Sequence, residues 1–175
     1  MADELEIINR VIAEHQIIML NIQGVRSSMA DFDALFSLQK AQSGWAQTSV
    51  DKLIDQKRLL WDALSLAQKG LNNHFFWEEK ALAPLFGEVF MKALIFEHVE
   101  IRQQIERVIL MVNNSNLQGL SQPDLLDKKS LLQEATTTLC RMVEQHANLE
   151  EQMLKMLRKT FQGEAKPSRA DQIQR

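Results

Sequence analysis

The chain has 175 residues, of which 45% are hydrophobic and 25% are charged, as in a globular domain with a packed core. The net charge is only −3, and acidic and basic residues are mixed along the sequence, which excludes a basic stripe for nucleic acid. No uncharged apolar run reaches the length of a membrane span, and the first ten residues, MADELEIINR, lack the apolar core of a signal peptide.

Apolar residues at helical spacing predict four long helices in chain order. A mixed segment with room for a short helix separates the first two, and the sequence NNSNLQGLSQPD predicts a loop before the last. The predicted helices run from about residue 3 to 29, from 49 to 86, from 88 to 113 and from 123 to 161.

Several residues mark where these helices begin and end. Ser49 is a candidate cap for the second helix, and Pro84 with Gly87 ends or bends it. Ser121 and Asp124 have the spacing of a capping box before the fourth helix. The sequence therefore favours helices over strands, in agreement with only six glycines and three prolines.

Four amphipathic helices with short or moderate connections predict an all-α fold, an antiparallel up-down four-helix bundle. We expect residues 1–161 to form this bundle as one domain. The polar segment 162–175 is predicted to be a disordered tail.

The four histidines stand on the apolar stripes, one in each predicted helix. Two of them have a glutamate four residues later, Glu78 and Glu150, so that imidazole and carboxylate share a helix face. The predicted ligand set is therefore His15, His74, Glu78, His98, His146 and Glu150.

Carboxylates in an apolar core need a positive partner, since an unpaired buried charge costs several kcal/mol (an order-of-magnitude figure) or is neutralised by a proton. No lysine lies on these inward faces, and the one inward-leaning cation is Arg102, four residues after His98. A lone core histidine is most often structural, but four on four stripes with two matched glutamates indicate a bound metal.

The two halves of the sequence repeat the same ligand pattern. HFFWEEKALAPLF in the second predicted helix parallels HANLEEQMLKMLR in the fourth, so each helical hairpin supplies two histidines and one glutamate. Two similar halves predict two similar metals, bridged by Glu78 and Glu150, with an open position for a small molecule. Nitrogen and oxygen donors without sulfur suit iron or manganese, whereas a single zinc would not use two bridging carboxylates.

At these residues the chain resembles the hemerythrin-like, or HHE cation-binding, family over about residues 5–160. The matching order is His15, His74 with Glu78, His98, and His146 with Glu150. The resemblance implies a four-helix bundle around a non-haem di-iron centre, with an oxo or hydroxo bridge between the iron ions.

Two positions depart from the oxygen-carrying members of that family. Arg102 stands where those proteins have a further histidine, and Glu151, five residues after His146, is a rival to Glu150 as the bridging ligand. The departures make a reversible O₂ carrier less favoured, and the chain resembles instead the branch linked to iron or oxygen sensing and to nitric oxide and iron–sulfur repair. The iron–sulfur repair branch usually has an additional N-terminal cysteine-containing domain, which we do not expect here.

The family resemblance leaves the activity open between binding and catalysis. We expect a cytoplasmic metal-binding protein with a diatomic ligand, O₂ or NO, rather than an enzyme. The alternative is a di-iron oxidoreductase of the peroxidase, NO-reduction or iron–sulfur repair type. Such an enzyme would need a redox partner, because no redox cysteine pair or flavin motif occurs. A metal-free interaction bundle is the second alternative. The single cysteine, Cys140, agrees with a reducing compartment.

For the charged residues near the predicted ligands, the sequence allows either a position at the surface or a contact with the site. Glu14 and Glu97 are either acceptors for imidazole or solvated charges, and the second interpretation is favoured. Glu79 is expected at the surface, about 100° around the helix from Glu78. Arg102 is either a surface residue or a gate over the open metal position.

Overall fold

The computed structural model describes residues 2–41, 47–115 and 121–164, which form four α-helices and no strand in those ranges. This confirms the prediction of an all-helical chain. The helices are α1 (Ala2–Ala41), α2 (Gln47–Ala81), α3 (Glu88–Asn114) and α4 (Gln122–Glu164). None of these helices has an apolar stretch sufficient to cross a membrane.

The helices form a four-membered ring in which α1 and α3 each pack between α2 and α4. Contacts along the helices show that neighbours are antiparallel. Arg158 near the end of α4 donates to Asn9 near the start of α1, while Lys129 near the start of α4 pairs with Asp33 near the end of α1. The described chain is therefore an antiparallel four-helix bundle.

The first helix continues twelve residues beyond its predicted end at residue 29, through Ala41. The reason is visible in its buried side: Val25, Met29, Phe32 and Phe36 continue the three- and four-residue spacing and are 5% exposed or less. The prediction of a mixed connection after residue 29 was wrong because the polar residues alternate with this apolar side: Asp31 and Ser37 are exposed, and Asp33 is half-buried beside Lys129 of α4.

The second helix begins and ends earlier than predicted, at Gln47 and Ala81. Ser49 therefore lies inside the helix and is not its cap. At the other end Pro84 has no backbone N–H and disfavours helical geometry in the residue before it, so residues 82–86 form a turn. Phe86 N–H donates to the Leu82 carbonyl in this turn, at 3.0 Å.

The fourth helix starts with the predicted capping pair. The Asp124 backbone N–H donates to Ser121 Oγ at 3.4 Å, and the serine hydroxyl donates to Asp124 Oδ2 at 2.5 Å. The helix runs to Glu164, three residues past the predicted end of the bundle. The rest of the predicted tail, residues 165–175, lies outside the described residues.

Two separate apolar clusters fill the bundle and leave a layer between them. The larger cluster contains Phe32, Leu60 and Ile105, and the smaller one contains Ile8, Leu82 and Leu154. Every helix crosses from one cluster to the other, and each of the four histidines lies at the crossing. The fold thus places a layer of histidines and glutamates between two apolar clusters.

Candidate metal centre

The polar layer consists of six side chains that are almost completely buried. Each is 4% exposed or less, and Glu78 and His98 have no exposed surface at all. All six were singled out from the sequence as metal ligands: His15, His74, Glu78, His98, His146 and Glu150.

One group of possible ligand atoms lies between α1, α2 and α4. It consists of His15, His74, Glu78 and Glu150, whose ligand atoms lie within 4.8 Å of one another. Glu150 Oε2 is 3.2 Å from His15 Nε2, and Glu78 Oε1 is 3.4 Å from His74 Nε2. Two imidazoles and two carboxylates thus converge on one point, a donor set that could hold a metal ion.

A second group shares Glu78 and adds the histidines of the other hairpin, His98 and His146. Glu78 Oε2 lies 3.1 Å from His98 Nε2, so the two oxygens of this carboxylate face different histidine pairs. His98 also stacks on Phe75, with ring centroids 3.9 Å apart and planes 11° apart. The ring centroids in each hairpin's histidine pair are the same distance apart, 4.9 Å.

The inward-facing atoms of these side chains have no hydrogen-bond partner. This holds for the Nε2 atoms of all four histidines and for both oxygens of Glu78 and Glu150. A buried polar atom left without a partner costs roughly 1–3 kcal/mol. Eight such atoms directed at one small volume fit a metal site, because positive ions would use all of these lone pairs at once.

Three of the four imidazoles are held from outside by a carboxylate of a neighbouring helix. The acceptors are Glu14 for His74, Glu79 for His98 and Glu97 for His146, at 2.9, 2.9 and 3.1 Å from Nδ1. A carboxylate only accepts, so the proton is on Nδ1 and the lone pair of Nε2 faces the centre.

These three contacts correct the sequence interpretation. Glu14 and Glu97 were favoured as solvated charges and Glu79 as a surface residue, yet each accepts a hydrogen bond from a buried histidine. The signal in the sequence is that each glutamate is adjacent to a predicted ligand. That signal is insufficient alone, because the register of the neighbouring helix decides whether the carboxylate reaches an imidazole.

Arg102 and Glu151 lie outside the buried layer. Arg102 donates to Glu79 at 2.9 Å and lies beside the Phe75 ring, so it is neither a free surface residue nor directed at the ligand atoms. Glu151 is 22% exposed and pairs with Lys155, whereas its rival Glu150 is in the centre.

Burial gives the centre unusual acid–base properties. Burial, reinforced by the charge of Glu150, raises the pKa of Glu78 to about 10. Burial and the neighbouring His146 and Arg102 lower the pKa of His98 to about 2. Without a metal, Glu78 is therefore a neutral acid and His98 a neutral imidazole at pH 7.

Metal-free protein is expected to lose stability as the pH rises from 7 to 8.5. Glu78 keeps its proton in the folded chain over this range but loses it in the unfolded chain, so the free energy of unfolding falls by about 1.4 kcal/mol per pH unit. This contribution is complete below pH 4.5 and is lost as the pH passes about 10. His98 contributes above pH 6.5 and loses its contribution only toward pH 2, below this range.

The measurement is urea unfolding of chelator-treated protein at several pH values between 7 and 8.5. The Glu78→Gln variant is the matched control, because its amide has the same shape and does not titrate. Its stability is expected to fall by about 2 kcal/mol less than that of the unsubstituted chain over the range. If the free energy of unfolding fell equally with pH in the two proteins, the result would contradict a protonated Glu78 in the folded, metal-free chain.

Two openings on the α3–α4 side of the bundle are lined in part by residues of the buried layer. An open cleft of about 560 Å³ is lined by Ile101, Met142 and His146 among others. A second cavity of about 280 Å³ has mostly apolar walls and reaches both His146 and Glu150. Either is large enough for a small molecule to approach the buried layer.

The chain matches no protein-family model, no curated protein and no solved structure.

Proposed function

We propose that the chain is a hemerythrin-like protein that holds two iron ions and binds or senses a diatomic ligand, O₂ or NO. The observation that carries the proposal is the position of Glu78. One of its oxygens faces His15 and His74, and the other faces His98. A carboxylate shared between two histidine pairs is suited to bridging two metal ions.

The donor set supports iron or manganese over other metals. It contains four imidazole nitrogens and the oxygens of two carboxylates, with no sulfur. Bound iron would supply positions at which a diatomic molecule coordinates and exchanges electrons with the metal.

The residues of the chain have three roles in this proposal. The Nε2 atoms of the four histidines bind metal, and Glu78 and Glu150 contribute negative charge that the metal ions balance. Phe75, which is fully buried and contacts His74, His98 and His146, keeps water from one side of the centre. The cavities that reach His146 provide the approach for the ligand.

A cytoplasmic location is part of the same proposal. Iron(II) persists in a reducing compartment, and the single cysteine of the chain, Cys140, is buried and free.

Metal analysis tests the first part of the proposal. Protein produced in iron-rich medium and purified without chelator is expected to contain close to two irons per chain. Protein produced with equal iron and manganese shows which of the two is preferred. A chain that contains neither metal from either medium would contradict the proposal and favour a metal-free bundle.

Ligand binding tests the second part. Reduced, iron-loaded protein is expected to form a stable adduct with O₂ or NO that has its own visible absorption spectrum. The matched control is the His74→Ala variant, which lacks one of the proposed ligands and should change both iron content and spectrum. Repeated turnover of peroxide or NO in the presence of an electron donor would instead identify an oxidoreductase.

A further inference from the structure

The outer hydrogen bonds of the four imidazoles are not equivalent. Three Nδ1 atoms donate to a glutamate from the helix that precedes theirs in the chain, and these belong to His74, His98 and His146. The fourth, His15 Nδ1, is equally buried but has no hydrogen-bond partner. Of the two histidine pairs, only that of α3 and α4 is therefore held at both rings.

The internal repeat identifies the residue that would complete the set. Glu79 follows the ligand Glu78 and holds His98 on the next helix. Glu151 follows Glu150 in the same way, on the helix that packs against α1 and its His15. The Glu151 carboxylate pairs with Lys155 on its own helix instead. Three of the four imidazoles thus have a positioning glutamate, and His15 has none.

We propose that the two metal positions differ in affinity, with the position at His98 and His146 tight and the position at His15 and His74 weak. This inference rests on the proposed function, since it concerns the same two metals. Both carboxylates lie near both histidine pairs, because Glu150 Oε2 is 3.2 Å from His15 Nε2 and 3.5 Å from His146 Nε2, so the difference comes from the outer hydrogen bonds. Donation from Nδ1–H to a carboxylate fixes the imidazole ring and increases its basicity, which is worth roughly 10–100-fold in metal affinity.

Each histidine pair has one positioning glutamate that is itself held by an arginine, since Arg10 donates to Glu14 at 2.8 Å and Arg102 donates to Glu79 at 2.9 Å. Glu79 is 25% exposed and is itself held by Arg102, so its carboxylate is fixed in direction toward His98. His98 also has Phe75 stacked on its ring. His15 is buried but has neither a carboxylate at Nδ1 nor a stacked aromatic ring. A metal that binds there must therefore first restrict the orientation of the imidazole ring. The weak position therefore fills second and empties first.

The test is a titration of metal-free protein with Mn²⁺, in which the free ion is measured by its electron paramagnetic resonance signal. We expect two binding steps with dissociation constants that differ by about 10–100-fold. The His15→Ala variant should lose the weaker step and keep the tighter one. The His98→Ala variant should lose the tighter step.

Two glutamine variants separate positioning from general stability. Glu79→Gln is expected to weaken the tighter step by about 10-fold or more, so that the two steps converge. Glu151→Gln, the matched variant in the other half, should leave both steps unchanged. Circular dichroism and urea unfolding of the metal-free variants show whether either substitution disturbs the fold. The resonance line shape of bound Mn²⁺ reports a change at the metal that a purely structural effect would not produce.

Each outcome has a distinct meaning. Two equal steps, or a weaker step that Glu151→Gln weakens further, would overturn the inference while leaving the proposed two-metal centre in place. A single bound Mn²⁺ that His98→Ala abolishes would support the difference in affinity and contradict the two-metal stoichiometry. A single Mn²⁺ that only His15→Ala abolishes would overturn the inference, and absence of any binding would overturn both.

Discussion

Glu78→Gln is expected to abolish binding of both metals, a larger loss than any single histidine substitution produces. Glu78 contributes to both groups of possible ligand atoms, and its two oxygens face different histidine pairs. Glutamine keeps the shape of the side chain but removes the charge and replaces one oxygen with a nitrogen that carries two hydrogens. We expect at least a 100-fold loss of affinity at each position, since even outer-layer partners contribute roughly 10–100-fold.

The measurement is metal content after gel filtration, together with affinity from competition with a chelator. Metal-free Glu78→Gln should fold normally, because Glu78 is already neutral in the metal-free chain at pH 7. Glu151→Gln is the matched control, since Glu151 lies beside Glu150 but pairs with Lys155 outside the centre. Retention of two metals by Glu78→Gln would contradict its position as the bridge.

The inward-facing positions of the histidines could be predicted from the sequence because helical periodicity is a local property. His15, His74, His98 and His146 are spaced with the apolar residues of their own helices, so each inward direction follows from its own neighbours in the chain. The histidines and the apolar residues therefore point into the same interior of the bundle. The same reasoning predicted a four-helix bundle and the capping pair Ser121 and Asp124.

The outer glutamates could not be predicted in this way. Glu14, Glu79 and Glu97 lie at the border between the buried and exposed sides of their helices, where a side chain reaches either water or a neighbouring helix. Whether a carboxylate meets an imidazole depends on the axial offset between two helices, and a single sequence does not contain that offset. The pairing of Glu151 with Lys155 shows the difference, because its place in the repeat is the same as that of Glu79.

The length of α1 is an instructive error. The stretch SSMADFDALF contains polar residues that are common in connections, so its composition predicts a connection although its apolar residues keep helical spacing. Met29, Phe32 and Phe36 nevertheless continue the stripe that begins with Ile8, and the larger apolar cluster buries all three. The core extends as far as the apolar spacing does, so spacing is the better guide to helix length.

Removal of the metals is expected to lower the melting temperature of the loaded protein by about 8–16 °C or more. One site occupied at a thousand times its dissociation constant stabilises the folded chain by about 4 kcal/mol. For a chain of this size, each kcal/mol corresponds to about 2–4 °C. Two sites add to this, and the metal-free centre has eight inward-facing buried polar atoms without hydrogen-bond partners.

The measurement is thermal unfolding followed by circular dichroism, before and after treatment with a chelator, and again after iron is restored. Glu78→Gln is the control for effects of the chelator alone, because a chain that binds no metal should unfold at the same temperature in both conditions. Recovery of the original melting temperature on adding iron shows that the loss came from the metals. An unchanged melting temperature in the loaded, unsubstituted chain after complete removal of iron would mean that packing alone stabilises the polar layer, because no free energy would then be linked to metal binding.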